Sequence, residues 1–412
     1  MRINMAVPKK RKVLKKKTAK LKPVKKDKKN IGKKKSTKKV TKKTAPKKIQ
    51  KKLKNKKVPT KKVLRKKLVL KNKKKVPVSV KRFEGNPIVE PRQYPWESKA
   101  TFNPAAFESN GKVHLVYRAI GDDDSSALGY AGSLDGYTVS ERPTNFIYRR
   151  GNNFSRPDYS VSSIDYVSGG GWNGGCEDPR LTKIGDRVFM IYTAFDGWGS
   201  LRLALTSIAL SDFENKRWKW KPSVMISPPG EIHKNWVVFP EKINEKFAVL
   251  HSVYPKIMVD YFDSLDELNG TKFIKSNNTR PVDISRGWDS WFRGVGPSPI
   301  KTELGWLILY HAMDHKNPDR YRIGALILDS NNPTKILYRS QYPILEPEEW
   351  YENNGYKWGV VYSCGAVVKD GNLLVYYGGA DKVIAVGSIK LAELLDDLKK
   401  NKIVKLDKSR VQ

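Results

Sequence analysis

Between residues 103 and 377 one pattern recurs five times, and it limits the possible folds more than any other feature of the chain. Each copy has a turn-prone lead, then a charged or Gly/Asn turn, then a strand-like run ending in aromatic or His residues. The copies are Asn103-Pro104 through Gly111 with Val113–Arg118; Glu177-Asp178-Pro179-Arg180 with Val188–Thr193; Phe239-Pro240-Glu241-Lys242 with Phe247–His251; Gly296-Pro297-Ser298-Pro299 with Trp306–His311; and Ser363-Cys364-Gly365-Ala366 with Leu373–Tyr377. The runs are spaced by roughly 60–75 residues, which leaves room for four short strands in each repeat. Four strands per repeat is the sequence signature of a propeller blade. The expected fold is therefore all-β, a five-bladed β-propeller. Helical periodicity is confined to Leu391–Leu398, which predicts a short C-terminal helix.

Charge divides the chain in two. Residues 1–82 hold 39 of the 80 Lys and Arg but only one of the 41 acidic residues, Asp27. The remainder, 83–412, has 41 basic against 40 acidic side chains. The overall charge of +39 thus belongs almost wholly to the tail. With self-repelling lysines and no aromatic residue before Phe83, residues 1–82 are expected to be disordered. The tail suits nucleic acid, another polyanion or an import receptor. Pro8-Lys9-Lys10-Arg11-Lys12-Val13 resembles a short nuclear import signal. Residues 83–412 are expected to form the propeller domain.

No apolar run reaches the roughly 18–20 residues of a membrane span, and the charged N-terminus has no apolar signal-peptide core. The two cysteines, Cys176 and Cys364, read as reduced thiols of a cytoplasmic protein, with a nuclear placement the alternative that the basic tail raises. The histidines are scattered, and no cluster has metal-ligand spacing.

In a propeller the leads enter the innermost strand of each blade, so their polar residues converge on the central channel. Glu177-Asp178-Pro179-Arg180 is the most specific of them. It follows a glycine-rich approach, Gly171 to Cys176, that lets backbone come close to a ligand. A carboxylate here serves as a proton donor if its surroundings raise its pKa. Arg202, Lys234 and Arg293 flank the second, third and fourth repeats and together suit an anion such as phosphate, with Tyr310 and His311 adding hydrogen bonds. Trp96, Trp172, Trp198, Trp236, Trp288 and Trp291 lie in loops or leads, where they either stack on sugar rings or pack between blades.

Several spaced motifs in order resemble glycoside hydrolase family 130. They are Asn86-Pro87-Ile88-Val89, Trp96-Glu97-Ser98, Phe102–Ala106, Tyr117-Arg118-Ala119, Glu177–Arg180, Phe239–Ile243 and Gly305-Trp306 through Tyr310-His311. The resemblance runs from about residue 84 to 390. It implies a five-bladed propeller and an inverting phosphorylase that cleaves β-mannosides with inorganic phosphate, releasing α-mannose 1-phosphate. It further implies that Asp178 is the general acid, acting through the mannose 3-hydroxyl. Phosphate, already an anion, needs no general base, unlike the two-carboxylate arrangement of typical glycosidases.

Arg202, Lys234, Arg293, Tyr310 and His311 match the phosphate-binding set of the resemblance. Asn103, Arg118 and Asp381 match the mannose-binding set, with Glu177 and Arg180 beside them in the motif. No metal or organic cofactor is implied; phosphate is a co-substrate. The segment His233-Lys234-Asn235-Trp236 departs from the usual phosphorylase pattern. Two other readings stay open. One is a β-mannosidase using water, with a channel carboxylate such as Glu241 as base. The other is a non-catalytic carbohydrate-binding propeller tethered by its basic tail.

Overall fold

The computed structural model describes residues 77–149, 173–195, 201–277, 282–283 and 286–400. The proposed disorder and import signal of the tail therefore lie outside the described residues up to position 76, as do Trp172 and Trp198. Residues 81 and 82, counted with the tail by charge, are in the folded body. Lys81–Arg82 is strand β1, and it pairs antiparallel with the last strand of the chain.

The other strands follow as hairpins. β2 (Ala100–Ser109), β3 (Lys112–Ile120) and β4 (Ser126–Ser133) form one antiparallel group. The second comprises β5 (Gly175–Ile184), β6 (Arg187–Phe195), β7 (Leu201–Ala209) and β8 (Val224–Met225), with helix α1 (Leu210–Glu214) after β7. The third is β9 (Val237–Val238), β10 (Phe247–Ser252) and β11 (Met258–Phe262). A fourth is made by β12 (Trp291–Val295), β13 (Ile300–Thr302), β14 (Gly305–Asp314), β15 (Asn317–Leu328) and β16 (Ile336–Arg339). The fifth is β17 (Val361–Lys369), β18 (Asn372–Gly379) and β19 (Val383–Lys390), with β1 as its outer strand. Helix α2 (Leu391–Lys400) follows and buries Leu394, Leu395 and Leu398. The five strand-like runs of the sequence are β3, β6, β10, β14 and β18, the second full strand of each group.

These strands are apolar on both faces because each group is covered on both sides. In β18, Leu373, Val375 and Tyr377 face one apolar cluster while Leu374 and Tyr376 face another. This is the period of two expected of a pleated strand, with neither face left to water. Five larger clusters each draw on two groups: first with second, second with third, third with fourth, fourth with fifth, and fifth with first. Burying one such Leu, Val or Phe contributes roughly 1.5–3 kcal/mol, so the sequence of contacts closes on itself with substantial energy at each step.

A buried polar unit repeats in three of the groups. A tyrosine of the second strand donates to a carboxylate from the preceding loop, and an arginine of the outer strand or its equivalent holds the same carboxylate. Tyr117 donates to Glu97 at 2.9 Å, and Arg142 reaches both. Tyr310 donates to Asp289 at 2.8 Å, and Arg339 bonds Tyr310 and pairs with Asp289. Tyr377 donates to Glu352 at 2.8 Å, and Arg82 grips Glu352 at 2.8 and 2.9 Å. The loop residues belong to Trp96-Glu97-Ser98, Trp288-Asp289-Ser290 and Trp350-Tyr351-Glu352, so this repeat is visible in the sequence once the contacts are known.

The Arg82 clasp ties β1 to the loop before β17. Replacing Arg82 by methionine leaves the fully buried Glu352 carboxylate without its cation. It is expected to cost about 2 kcal/mol, read by chemical denaturation; a change below a few tenths would contradict the clasp.

Candidate active site

Three inner strands are broken at the same point. In β2, β5 and β17, two residues oppose one on the partner strand: Asn103-Pro104 opposite Tyr117, Asp178-Pro179 opposite Tyr192, and Ser363-Cys364 opposite Tyr377. Such bulges re-aim a side chain and interrupt the ladder. Asn103 and Asp178 sit in the left-handed region, at φ 49° and 47°, as does Asp381 at φ 53°. Asn and Asp tolerate this region better than other non-glycine residues. The following prolines have no N–H, so the broken ladder loses no donor there. The bulges bring Asn103 and Asp178 together: Asn103 Nδ2 donates to Asp178 Oδ1 at 2.9 Å.

Charges surround the acid. Arg118, wholly buried, reaches Glu177 through Nη2 at 2.9 Å and Asp178 through Nη1 at 3.4 Å. Lys234 Nζ bonds the other Glu177 oxygen at 2.9 Å. Burial pushes the Asp178 carboxyl up, but Arg118, Lys234, Arg180 and the Asn103 amide outweigh it and hold the pKa at about 2. The proton donor of the sequence reading is therefore ionised in the free protein, the reverse of the raised pKa that reading asked for. The physical reason is three cations around one buried carboxylate. Because the folded value lies below the ordinary 3.8, this group contributes stability present above pH 3.8 and lost as pH falls through about 2. Asp381 behaves oppositely. Burial raises its pKa, with Asp178 adding to the rise and Lys357, 3.9 Å away, opposing it.

Beside this network lies a small, partly open pocket, lined by His233, Lys234, Asn235, His251, Ser252, Tyr254, Asn277 and Arg293 among others. Lys234 belongs to both regions, since it lines the cavity and pairs with Glu177. His251 is buried, and neither ring nitrogen makes a hydrogen bond; the Asp260 carboxylate stands 3.4 Å from Nε2 without hydrogen-bond geometry. Arg293 bonds the Tyr321 hydroxyl through Nε and lies 4.5 Å over the Trp291 ring. The pocket thus gathers two cationic side chains, Lys234 and Arg293, and two histidines, His233 and His251.

Not every expected residue reaches it. Lys234 and Arg293 do, whereas Arg202 is not among the lining residues and donates instead to the Ser227 carbonyl. Tyr310 is fully buried in its clasp with Asp289 and Arg339. His311 is also fully buried, stacked 3.9 Å from the Tyr362 ring, with Nε2 accepting from the Ser363 N–H. Burial and Arg180 push its pKa down to about 3, so it is neutral. Strand pairing thus turns Tyr310 and His311 into the interior, away from the pocket that Lys234 and Arg293 line.

Arg180 is likewise enclosed: it donates to the carbonyls of Asp178, Val295 and Gly296, to Asn235 Oδ1 and to the Tyr362 hydroxyl. Glu177, with no exposed surface, ties Arg118 to Lys234. Both are held by buried partners next to Asp178. Asn103 differs, because its buried Oδ1 has no hydrogen-bond partner. Glu241 is exposed and faces Lys301, too far into solvent to serve as a channel base. Trp96 stacks on Tyr117, Trp288 on Tyr310, and Trp236 packs against His233 and His251; these three pack between elements.

His251 and Asn235 were the residues that sequence reasoning passed over. His251 ends the third strand-like run, so the recurring His at run ends was the available signal. Among the described residues no cluster of His, Cys, Asp and Glu could hold a metal ion, and no helix there is long and apolar enough to cross a membrane. Both cysteines are buried.

A buried carboxylate beside a cationic cavity defines a class, the glycoside phosphorylases, in which an anion takes the place of the attacking water. The chain belongs to glycoside hydrolase family 130: the model of that family, described as beta-1,4-mannooligosaccharide phosphorylase, matches residues 69–400. A 1,2-beta-oligomannan phosphorylase of Thermoanaerobacter sp. (strain X514) is 38% identical over 321 residues, covering 77% of this chain and 99% of that protein. A Beta-1,2-mannobiose phosphorylase of the same organism is 35% identical over 75% of this chain and 96% of that protein. The solved Beta-1,2-mannobiose phosphorylase of Listeria innocua, in complex with β-1,2-mannobiose, superposes with a TM-score of 0.59 at 26% identity, over 78% of this chain and 99% of that one.

Proposed function

We propose that the chain is an inverting β-1,2-mannoside phosphorylase built on five blades. The five antiparallel groups, three of them linked into one sheet by parallel pairings of β4 with β5 and of β17 with β2, and the five clusters that join the groups in a cycle support the blade count. The names of the two Thermoanaerobacter relatives support a 1,2 linkage over the 1,4 linkage of the family description.

The observation that carries the mechanism is the position of Lys234, which joins the acid's network to the cationic cavity. Phosphate binds there against Lys234, Arg293 and His251, with inorganic phosphate the co-substrate and no other cofactor. One phosphate oxygen attacks the anomeric carbon, and the bond to the leaving oxygen breaks on the opposite face. The leaving oxygen takes a proton that originates on Asp178, relayed through the mannose 3-hydroxyl. Asn103 and Asp381 hold the mannosyl ring. Phosphate also solves the problem of the low Asp178 pKa. Its negative charges offset the cations that keep Asp178 ionised, so burial then raises the pKa and the acid gains its proton when the co-substrate is in place.

Replacing Lys234 or Arg293 by alanine is expected to raise the KM for phosphate by about 10–100-fold, the value of one charged hydrogen bond, with a smaller change in KM for the mannoside. Equal changes for both substrates would move the phosphate elsewhere. A hydrolytic mechanism has no support at Glu241, whose carboxylate is in solvent.

A further inference from the structure

We propose that Asn235 is a positioning residue that sets the geometry between the acid-bearing strand and the phosphate pocket; this rests on the reading of the Lys234–Arg293 cavity as the phosphate site. Asn235 follows Lys234 directly and sits in the left-handed region at φ 68°. A non-glycine residue held there costs of order 1–3 kcal/mol and persists only where its surroundings over-determine it. Here they do. Asn235 Oδ1 accepts from Arg180 Nη2 at 2.7 Å and from the Tyr362 hydroxyl at 2.6 Å, and Nδ2 donates to the Arg293 carbonyl at 2.8 Å. Arg180 in turn donates through Nη1 to the Asp178 carbonyl at 2.9 Å. An unbroken run of hydrogen bonds therefore joins the backbone of the acid to the backbone of Arg293.

Its three partners come from three different strand groups, on β5, β12 and β17. One amide thus fixes where Lys234 and Arg293 stand relative to Asp178. The neighbouring chain is shaped to admit it. Gly294 lies at φ 130°, and a Cβ there would fall 2.5 Å from Asn235 Nδ2 and 2.8 Å from its Cβ. Any larger residue at 294 displaces the amide. The Asn235 amide is committed to Arg180, Tyr362 and Arg293, so it acts through Lys234 and Arg293 and not by gripping a ligand.

The test compares Asn235→Leu, Gly294→Ala and Lys234→Ala in the full-length protein, using inorganic phosphate and β-1,2-mannobiose. Asn235→Leu keeps the branching at Cγ but loses all three hydrogen bonds. Gly294→Ala displaces the same amide without altering any polar group, with added backbone strain at φ 130°, and it reads the contact if the leucine variant does not fold. Both are expected to raise the KM for phosphate at least tenfold. KM for mannobiose should change by less than about threefold, and the phosphate-induced rise in melting temperature should shrink. Folded variants whose phosphate KM stays within twofold of the parent would overturn the role of Asn235, provided Lys234→Ala raises it. If Lys234→Ala also leaves phosphate KM unchanged, the pocket itself is misassigned and this inference falls with it. A parallel loss for both substrates would mark Asn235 as a general packing residue and equally overturn the proposal.

Discussion

Asp178→Asn is expected to lower the turnover number for phosphorolysis by about 10³-fold, within the usual contribution of a general acid. The fold should be unaffected. Asparagine fills the same space, tolerates the same left-handed backbone and keeps an oxygen to accept from Asn103 Nδ2. What it lacks is the proton. It also removes one negative charge from the neighbourhood of Arg118 and Lys234. The sign of the second effect is therefore opposite to the first: phosphate should bind as tightly as in the parent or more tightly, while turnover collapses. Initial rates with a phosphate titration separate the two. A variant keeping more than a tenth of the parent turnover would remove Asp178 from the acid's place. A variant losing both turnover and phosphate affinity would point to a structural role instead.

The second large effect concerns stability. Arg118→Met is expected to destabilise the protein by about 3–5 kcal/mol at neutral pH, the cost of breaking a buried ion network from one side. Arg118 is fully enclosed, donating to Ser126 Oγ at 3.0 Å, bonding Glu177 and Asp178, and lying 4.8 Å over the Phe102 ring. Methionine preserves much of the packing but leaves Glu177 and Asp178 with less compensation. The loss should depend on pH in a defined direction. In the parent, the depressed Asp178 contributes stability above pH 3.8 that disappears as pH falls through about 2. Without Arg118 the burial of that carboxyl is less opposed, and it protonates at higher pH. The gap between variant and parent should therefore narrow as pH is lowered from 7 towards 4, as followed by urea denaturation. A pH-independent gap would show that lost packing, not charge, governs the effect.

The periodic features were readable from the sequence, and the contacts between distant segments were not. The five aromatic-ended runs mark the second strands because both faces of those strands are buried, and double burial leaves a continuous apolar signature. Helix α2 was visible through its apolar spacing. Asp178 stood out through its Glu-Asp-Pro-Arg motif and Asn103 through the family resemblance, and both lie in bulges of their strands. Charge counting misplaced Lys81 and Arg82 because it sees only sign: Arg82 is basic like the tail, yet its partner is Glu352, 270 residues away. Similarly, Tyr310, His311 and Arg180 belong to motifs that meet the site, but a motif does not reveal which way a strand residue points. Strand register turns Tyr310 onto Asp289, seals His311 under Tyr362 and commits Arg180 to five acceptors. His251 escaped for the converse reason, since an isolated histidine at a strand end is ordinary until a cavity opens beside it.

The most direct test is to incubate the purified protein with short β-1,2-mannooligosaccharides, with and without inorganic phosphate, and to follow the products and their anomeric form by NMR. The account predicts α-mannose 1-phosphate, formed only when phosphate is present, with negligible free mannose in its absence. Free mannose released at the same rate with and without phosphate would contradict it.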